Sequence, residues 1–326
     1  MSPPTKRSGW PGASTSPGTG MPTTPPAEAA RAAGHVEALV DRLHANPPLR
    51  VWSLIVTIFG DVVAPRGGEV WAGTLSALPG LMRTAAPAVR AALSRLARDG
   101  WLDRVKVGRL SYCALSEEGR RAFGPALARV YRRMPGEGGG DVPPELRVLV
   151  LPEGDARAAL RDAALAAGYG QLAPGILLGT PASAGLPGDA AGSGIVTLSA
   201  SLLSGSREEL VGRAFDLAPL ADRYRAFVAA HAPLAAALAE GGRLSDEAAM
   251  IARILLIHDY RRLILRDPLL PRALLPAGWP GHEANALAAR LYGALRPGAE
   301  AWIAAHARAR DGAMPAAEAT EPLRFT

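Results

Sequence analysis

Residues 89–121 read VRAALSRLARDGWLDRVKVGRLSYCALSEEGRR. Val89, Leu93 and Leu96 stand at i, i+4 and i+7, one face of an α-helix, so this stripe must meet a core. Arg90, Ser94 and Arg98 recur every four residues on a different face and leave it cationic. After Gly100, Val105 and Val107 alternate with Arg104 and Lys106, and VGR marks a turn at Gly108 and Arg109. The pattern predicts a hairpin with a cationic tip, anchored by Trp101, Leu102, Val105 and Val107, before a further helix begins at SEEGRR. Cys113 is expected to be a small buried strand residue.

A helix about 12 Å across fits the major groove of B-DNA, where Arg takes two acceptors of a guanine edge and Ser reaches bases or phosphates. A hairpin tip carrying Arg104, Lys106 and Arg109 can lie along phosphates and release counterions. Arg83 and Arg95 complete the candidate DNA-binding set. Upstream, LRVWSLIVTIFGD (49–61) predicts an apolar helix ended by Gly60, then a PRGGE turn, then a helix containing Trp71, Leu75 and Leu78. Three helices, a hairpin and another helix are the parts of a winged helix-turn-helix. The charge agrees: residues 47–133 carry fourteen Lys and Arg against six Asp and Glu, in a chain of 326 residues with net charge +6. The basicity belongs to this block, and the partner it implies is double-stranded DNA.

The flanks extend this into an α+β chain of several domains. Residues 1–46 read as a disordered tail, rich in Pro, Gly, Ser and Thr to about residue 26, with a short helix in which Val36, Leu39, Val40 and Leu43 form a stripe suited to an arm or a dimer contact. The winged block spans 47–134, and Pro135 to Pro144, with three consecutive glycines, reads as a linker. Residues 145–205 predict a small α+β, plait-like (ferredoxin-like) domain for linkage or dimerisation. Residues 206–310 predict a helical domain, and 311–326 a C-terminal tail. One cysteine excludes an internal disulfide framework and fits a reducing cytosol. No run approaches the roughly 18 apolar residues that cross a bilayer, and the N-terminus lacks the apolar core of a secretory signal, so a cytoplasmic protein without a membrane partner is expected.

Within the helical domain a long helix is predicted over 246–266, with Ser245 as its N-cap and a largely apolar circumference. His258, Arg262 and Arg266 lie at i, i+4 and i+8, with Tyr260 and Arg261 beside them, and could present cations to an anionic effector. The structural alternative pairs Asp259 with Arg262 and Arg266 with Asp267. Trp279 and His282, in the following turn, could line an aromatic acyl pocket. His231 with His258-Asp259 also imitates the ligand set of an HD-type metal phosphohydrolase, but Arg261 and Arg262 would oppose a divalent cation there.

The runs FGDVVAPRGGEVWAGTLSAL (59–78), VRAALSRLARDGWL (89–102) and VGRLSYCALSEEGRR (107–121) resemble the N-terminal winged-helix domain of the PaaX family, repressors of phenylacetate catabolism. LLIHDYRRLILRDPLLPRALLPAGWPGH (255–282) resembles that family's C-terminal domain, and ELRVLVLP (145–152) with GYGQLAPGILL (168–178) its middle. Where the family tends to carry polar residues before its second conserved run, this chain has Ala85, Ala86 and Pro87, and Ala91 replaces a Thr. The resemblance implies a homodimeric repressor that is not an enzyme and holds no cofactor. Its effector would be phenylacetyl-CoA or another acyl-CoA, which releases it from operator DNA. A regulator of the same build sensing a different aromatic ligand is the nearest alternative.

Overall fold

The computed structural model describes residues 27–45, 50–132, 134, 145–180, 183, 194–317 and 324–325. The predicted disorder of residues 1–26 and the linker at 135–144 lie outside them. The chain is a mixture of helix and small antiparallel sheets, as α+β predicts.

Helix α1 (Ala27–Ala45) is followed by α2 (Val51–Ile58). Gly60 does not end α2. The chain continues through a π-helical turn, Phe59–Val63, and a 3-10 turn to Arg66, and stops only at Gly67, whose φ of 84° reverses it. Gly60 serves another purpose: a Cβ there would stand 2.7 Å from Leu127 Cδ2, so its absence lets a later helix approach. Trp71 falls in strand β1 (Glu69–Trp71), not in the helix α3 (Ala72–Leu81) that it precedes. Helix α4 (Ala86–Arg98) buries Val89, Ala92, Leu93 and Leu96, the stripe that its spacing predicts, and accommodates Pro87 in its first turn.

Strands β2 (Leu102–Val107) and β3 (Leu110–Leu115) form the hairpin, with Gly108 at φ 59° opening its two-residue turn. The sheet order is β1-β3-β2, and Cys113 is buried in the middle strand. Trp101 and Leu102 anchor the hairpin as expected, Trp101 packing edge-on against Phe123. Val105 and Val107 do not: they are 37% and 46% exposed, because β2 is an edge strand and nothing among the described residues covers the hairpin's far end. Helix α5 (Glu117–Val130) starts at Ser116, whose hydroxyl accepts from Gly119 N at 2.9 Å.

The middle of the chain is a four-stranded antiparallel sheet of β4 (Leu146–Val150), β5 (Gly170–Ala173), β6 (Ile176–Gly179) and β7 (Val196–Ala200), ordered β5-β6-β4-β7. Helix α6 (Ala156–Ala166) connects β4 to β5, and Ala164 packs with Leu149, Leu151 and Leu177 in a small separate core. The rest is helical: α7 (Arg207–Ala214), α8 (Ala218–Ala239), α9 (Asp246–Ile264) and α10 (Pro280–His306), then a short hairpin of β8 (Arg308–Ala309) and β9 (Gly312–Ala313). No described helix is long and apolar enough to cross a membrane.

Helix α9 is the axis of the molecule. Thirteen of its nineteen residues are buried, from Ala249 to Ile264, and Ser245 caps it by accepting from Ala248 N. Helices α1, α2, α5, α8 and α10 all pack on it. Val36, Leu39 and Val40 of α1 are therefore inside: the helix lies along α8 and α9 of its own chain instead of forming an arm or dimer contact, since an exposed apolar stripe is stabilised by whatever surface reaches it first. One continuous core runs from Ala32 through the first block and the helical part, and it includes Met314 and Phe325 of the expected C-terminal tail.

Candidate nucleic-acid and effector surfaces

On α4 the stripe of Arg90, Ser94 and Arg98 faces solvent, opposite the buried Val89, Leu93 and Leu96. No acid among the described residues pairs with Arg90, and Arg98 only approaches its neighbour Asp99, at 3.9 Å. The hairpin sets Arg104, Lys106 and Arg109 on an exposed surface as well, beside the apolar rim of Val105, Val107 and Leu110. Ala85 at the start of α4 supplies no side-chain cap. Pro87 has no amide hydrogen, and the Ala88 and Val89 amides both donate to Ala85 O, so the first turn is closed on its own backbone and presents no cluster of free donors.

Two candidates are engaged within the chain. Arg83, at a φ of 57° after α3, bonds Asp41 at 2.7 Å and Glu37, both on α1, and these bonds raise its already high pKa. Arg95 lies over the Trp52 ring, 5.8 Å from its centroid, and 3.4 Å from Asp99. Arg83 therefore ties α1 to the block, and Arg95, still largely exposed, is drawn toward Trp52 of α2 and Asp99.

The proposed effector stripe divides. Arg262 and Arg266 are exposed and, with Arg42 of α1 and Arg223 of α8, line a cleft of roughly 280 Å³ floored by Phe227 and Leu263. Asp259 is the acid of that cleft. It accepts from His231 Nε2 at 3.2 Å and lies 3.5 Å from Arg42, and it makes no pair with Arg262. Four guanidinium groups around one carboxylate leave an excess of positive charge, the chemistry of an anion site.

His258 points elsewhere. It is buried against α2, with Nδ1 3.1 Å from Thr57 Oγ1. The Thr57 hydroxyl donates to Ser53 O, so Nδ1 is the protonated ring nitrogen. Burial pushes the imidazole down to about 4, with Arg261 and Arg262 adding to the effect and Asp259 opposing it. His258 is neutral near pH 7 and is not a cation for an anionic ligand. A histidine with a depressed folded pKa stabilises the protein above its unfolded pKa, and that stability is lost as pH falls. Between pH 7 and pH 5 the loss is expected to be about 2 kcal/mol. Urea midpoints will show it, and His258→Asn, which keeps a donor to Thr57, should remove most of the difference. Equal pH slopes in the two proteins would contradict the assignment.

The remaining effector candidates are also internal. Arg261 donates to Ser53 Oγ at 2.7 Å and to Ser53 O at 3.1 Å, its pKa lowered to about 10 by burial. Tyr260 is fully buried, accepts from Asn285 Nδ2 at 2.7 Å and contacts the ring of Phe227. Trp279 is buried edge-on against Tyr224, and His282 is half-buried. Asp267 leaves Arg266 exposed: it accepts from Tyr224 OH and from Leu269 N, both at 2.7 Å. His231 and Asp259 do meet, but no group of three His, Cys, Asp or Glu among the described residues is arranged to hold a metal.

The most heavily bonded group is one the sequence reading missed. Asp61, fully buried in the π-helical turn, accepts from Arg253 Nε of α9 at 2.7 Å and from Tyr131 OH of α5 at 2.6 Å. It also accepts from Tyr292 OH of α10 at 3.1 Å and Arg324 Nη1 at 2.6 Å. Burial alone would raise its pKa, but the Arg253 and Arg324 charges hold the carboxyl below its usual range. Arg253 also bonds Glu300 of α10, which in turn takes Arg66 from the first block. The signal was present: a lone Asp within IVTIFGDVV and a lone Arg within MIARILLI are opposite charges in two apolar helices, each needing a buried partner.

Comparison with known proteins fits this layout. Residues 50–119 match the family described as PaaX-like protein, and residues 215–305 match the PaaX-like protein C-terminal domain. A relative in Escherichia coli strain K12, the transcriptional repressor PaaX, is 33% identical over 282 residues, covering 82% of this chain and 88% of the relative. A solved structure, the uncharacterized protein Rv0674 from Mycobacterium tuberculosis, is 19% identical over 76% of this chain and 97% of its own, with a TM-score of 0.49. With two family matches in chain order and a full-length relative at that identity, the chain belongs to the PaaX family of transcriptional repressors.

Proposed function

We propose that this chain is a homodimeric, operator-binding repressor of genes for phenylacetate catabolism, released from DNA by phenylacetyl-CoA or a related acyl-CoA. Helices α2 to α4 with β2–β3 act as a winged helix-turn-helix in which α4 enters the major groove and the hairpin tip follows the phosphates. The carrying observation is the outward cationic stripe of Arg90, Ser94 and Arg98 on a helix whose opposite face is locked into the core. The E. coli relative is itself named a repressor, which supports the reading.

The cleft of Arg42, Arg223, Arg262 and Arg266 suits the phosphates of a CoA thioester, and it joins α1 to the α8–α9 pair on which the DNA-binding block rests. A ligand there can release DNA only by its difference in affinity for two arrangements of the dimer. The test is a gel shift on the protein's own upstream DNA, titrated separately with phenylacetyl-CoA, phenylacetate and free CoA. Release by the thioester at the lowest concentration supports the reading, whereas release by phenylacetate alone, or by none, opposes it. Arg262→Ala with Arg266→Ala should weaken thioester binding by about 1.5–3 kcal/mol per lost phosphate contact. Ligand-free operator affinity should stay unchanged, as isothermal titration and gel shift together will show.

A further inference from the structure

Two of the four cations of the arginine cleft, Arg223 and Arg266, also line a second cleft of roughly 310 Å³, so the two openings adjoin across these side chains. Both arginines are exposed, and neither pairs with an acid among the described residues. The second cleft lies where the middle sheet meets the helical part. Its wall is apolar and ring-bearing: Tyr169 just before β5, Phe215 between α7 and α8, and Leu217 and Leu220 at the start of α8. Tyr169, Leu217 and Leu220 are buried, and Phe215 is half-buried. Gly170 lets Phe215 lie against β5, because a Cβ there would stand 2.8 Å from the ring. Asp216 is an exposed acid on the rim.

We propose that the two clefts form one nucleotide site, in which the arginines hold a diphosphate and the ring-bearing cleft takes the adenine beside it. In a nucleoside diphosphate a single ribose separates the base from the phosphates, which suits two clefts that share two side chains. The acyl end of a CoA thioester stands a whole pantetheine arm from its phosphates, so the adenine is the part that reaches the adjoining cleft. The Tyr169 and Phe215 rings give the base apolar contact, and the Asp216 carboxylate can accept from its amino group. That the nucleotide is the head of CoA rests on the acyl-CoA reading; the pairing of the clefts does not. The effector would then be held by its nucleotide end, at the boundary of the middle sheet and the helical part.

The test is isothermal titration of the full-length protein with pyrophosphate, ADP and free CoA. ADP should bind about tenfold more tightly than pyrophosphate, the contribution of one base against aromatic rings. Phe215→Leu removes the ring and keeps an apolar side chain against β5. It should weaken ADP and CoA about tenfold and leave pyrophosphate within about twofold of its wild-type affinity. Leu165→Gln, at an exposed position on the same cleft, should weaken ADP about threefold, and it decides the matter if the Phe215 variant does not fold. ADP binding no tighter than pyrophosphate, or equal losses for the two in the variants, would overturn the proposal. ADP binding that depends on Phe215 without any binding of CoA retains the nucleotide site and defeats the acyl-CoA reading. CoA binding that ignores both substitutions retains that reading and overturns the site, and binding of none of the three overturns both.

Discussion

Asp61→Asn is expected to destabilise the protein by about 3–5 kcal/mol, seen as a lower urea midpoint with an unchanged slope. The substitution preserves shape, removes the charge and turns one of two accepting oxygens into a donor that faces donors. It leaves the Arg253 guanidinium, buried in α9, facing a neutral amide, with Glu300 as its remaining acid, and it takes the Asp61 charge away from Arg324, which keeps its bonds to backbone carbonyls and to the Tyr131 and Tyr292 hydroxyls. A buried cation that loses its partner keeps its desolvation cost, which is why breaking such a pair costs more than forming it gains. Since Asp61 lies in the first block while Arg253 and Tyr292 lie in the helical part, both should unfold together in the wild type. A loss below about 1 kcal/mol would mean that the carboxylate is dispensable.

Arg90→Ala and Arg98→Ala should each weaken operator binding by about 1–3 kcal/mol if they contact base edges, with relaxed preference at one position of the site. Both side chains are exposed and neither caps or packs an element, so thermal stability should stay within about 0.5 kcal/mol of the wild type. Arg109→Ala, at the hairpin tip, should lower affinity for every DNA sequence and flatten the salt dependence by about one unit of slope. Fluorescence anisotropy at several salt concentrations separates the two behaviours. Unchanged binding in all three variants would remove the face assigned here.

The α4 surface was legible because one helix with a 3.6-residue period carries both its core stripe and its cationic stripe, so nothing distant decides which side is which. The effector stripe was legible only in part. Residues four apart on a helix drift by about 40° per step, so over eight residues His258 turns toward α2 while Arg266 stays in water. The direction of the hairpin's valines could not be read from alternation, which gives two faces but not what covers either. Nor could α1 be placed, since its partners lie about two hundred residues away in α8 and α9. The Asp61 cluster joins residues 61, 131, 253, 292 and 324, and only tertiary packing brings these together.

The claim on which the functional account turns is that the outer face of α4 lies in a groove of DNA. Attaching an iron-chelate cleavage reagent to Ser94→Cys tests it directly, because the native Cys113 is buried and should not react. Bound to the protein's upstream DNA, the labelled chain is predicted to cut the duplex at discrete positions in two symmetry-related half-sites, and to stop cutting when phenylacetyl-CoA is added. Full retention of DNA binding with no cleavage from position 94 would contradict the account.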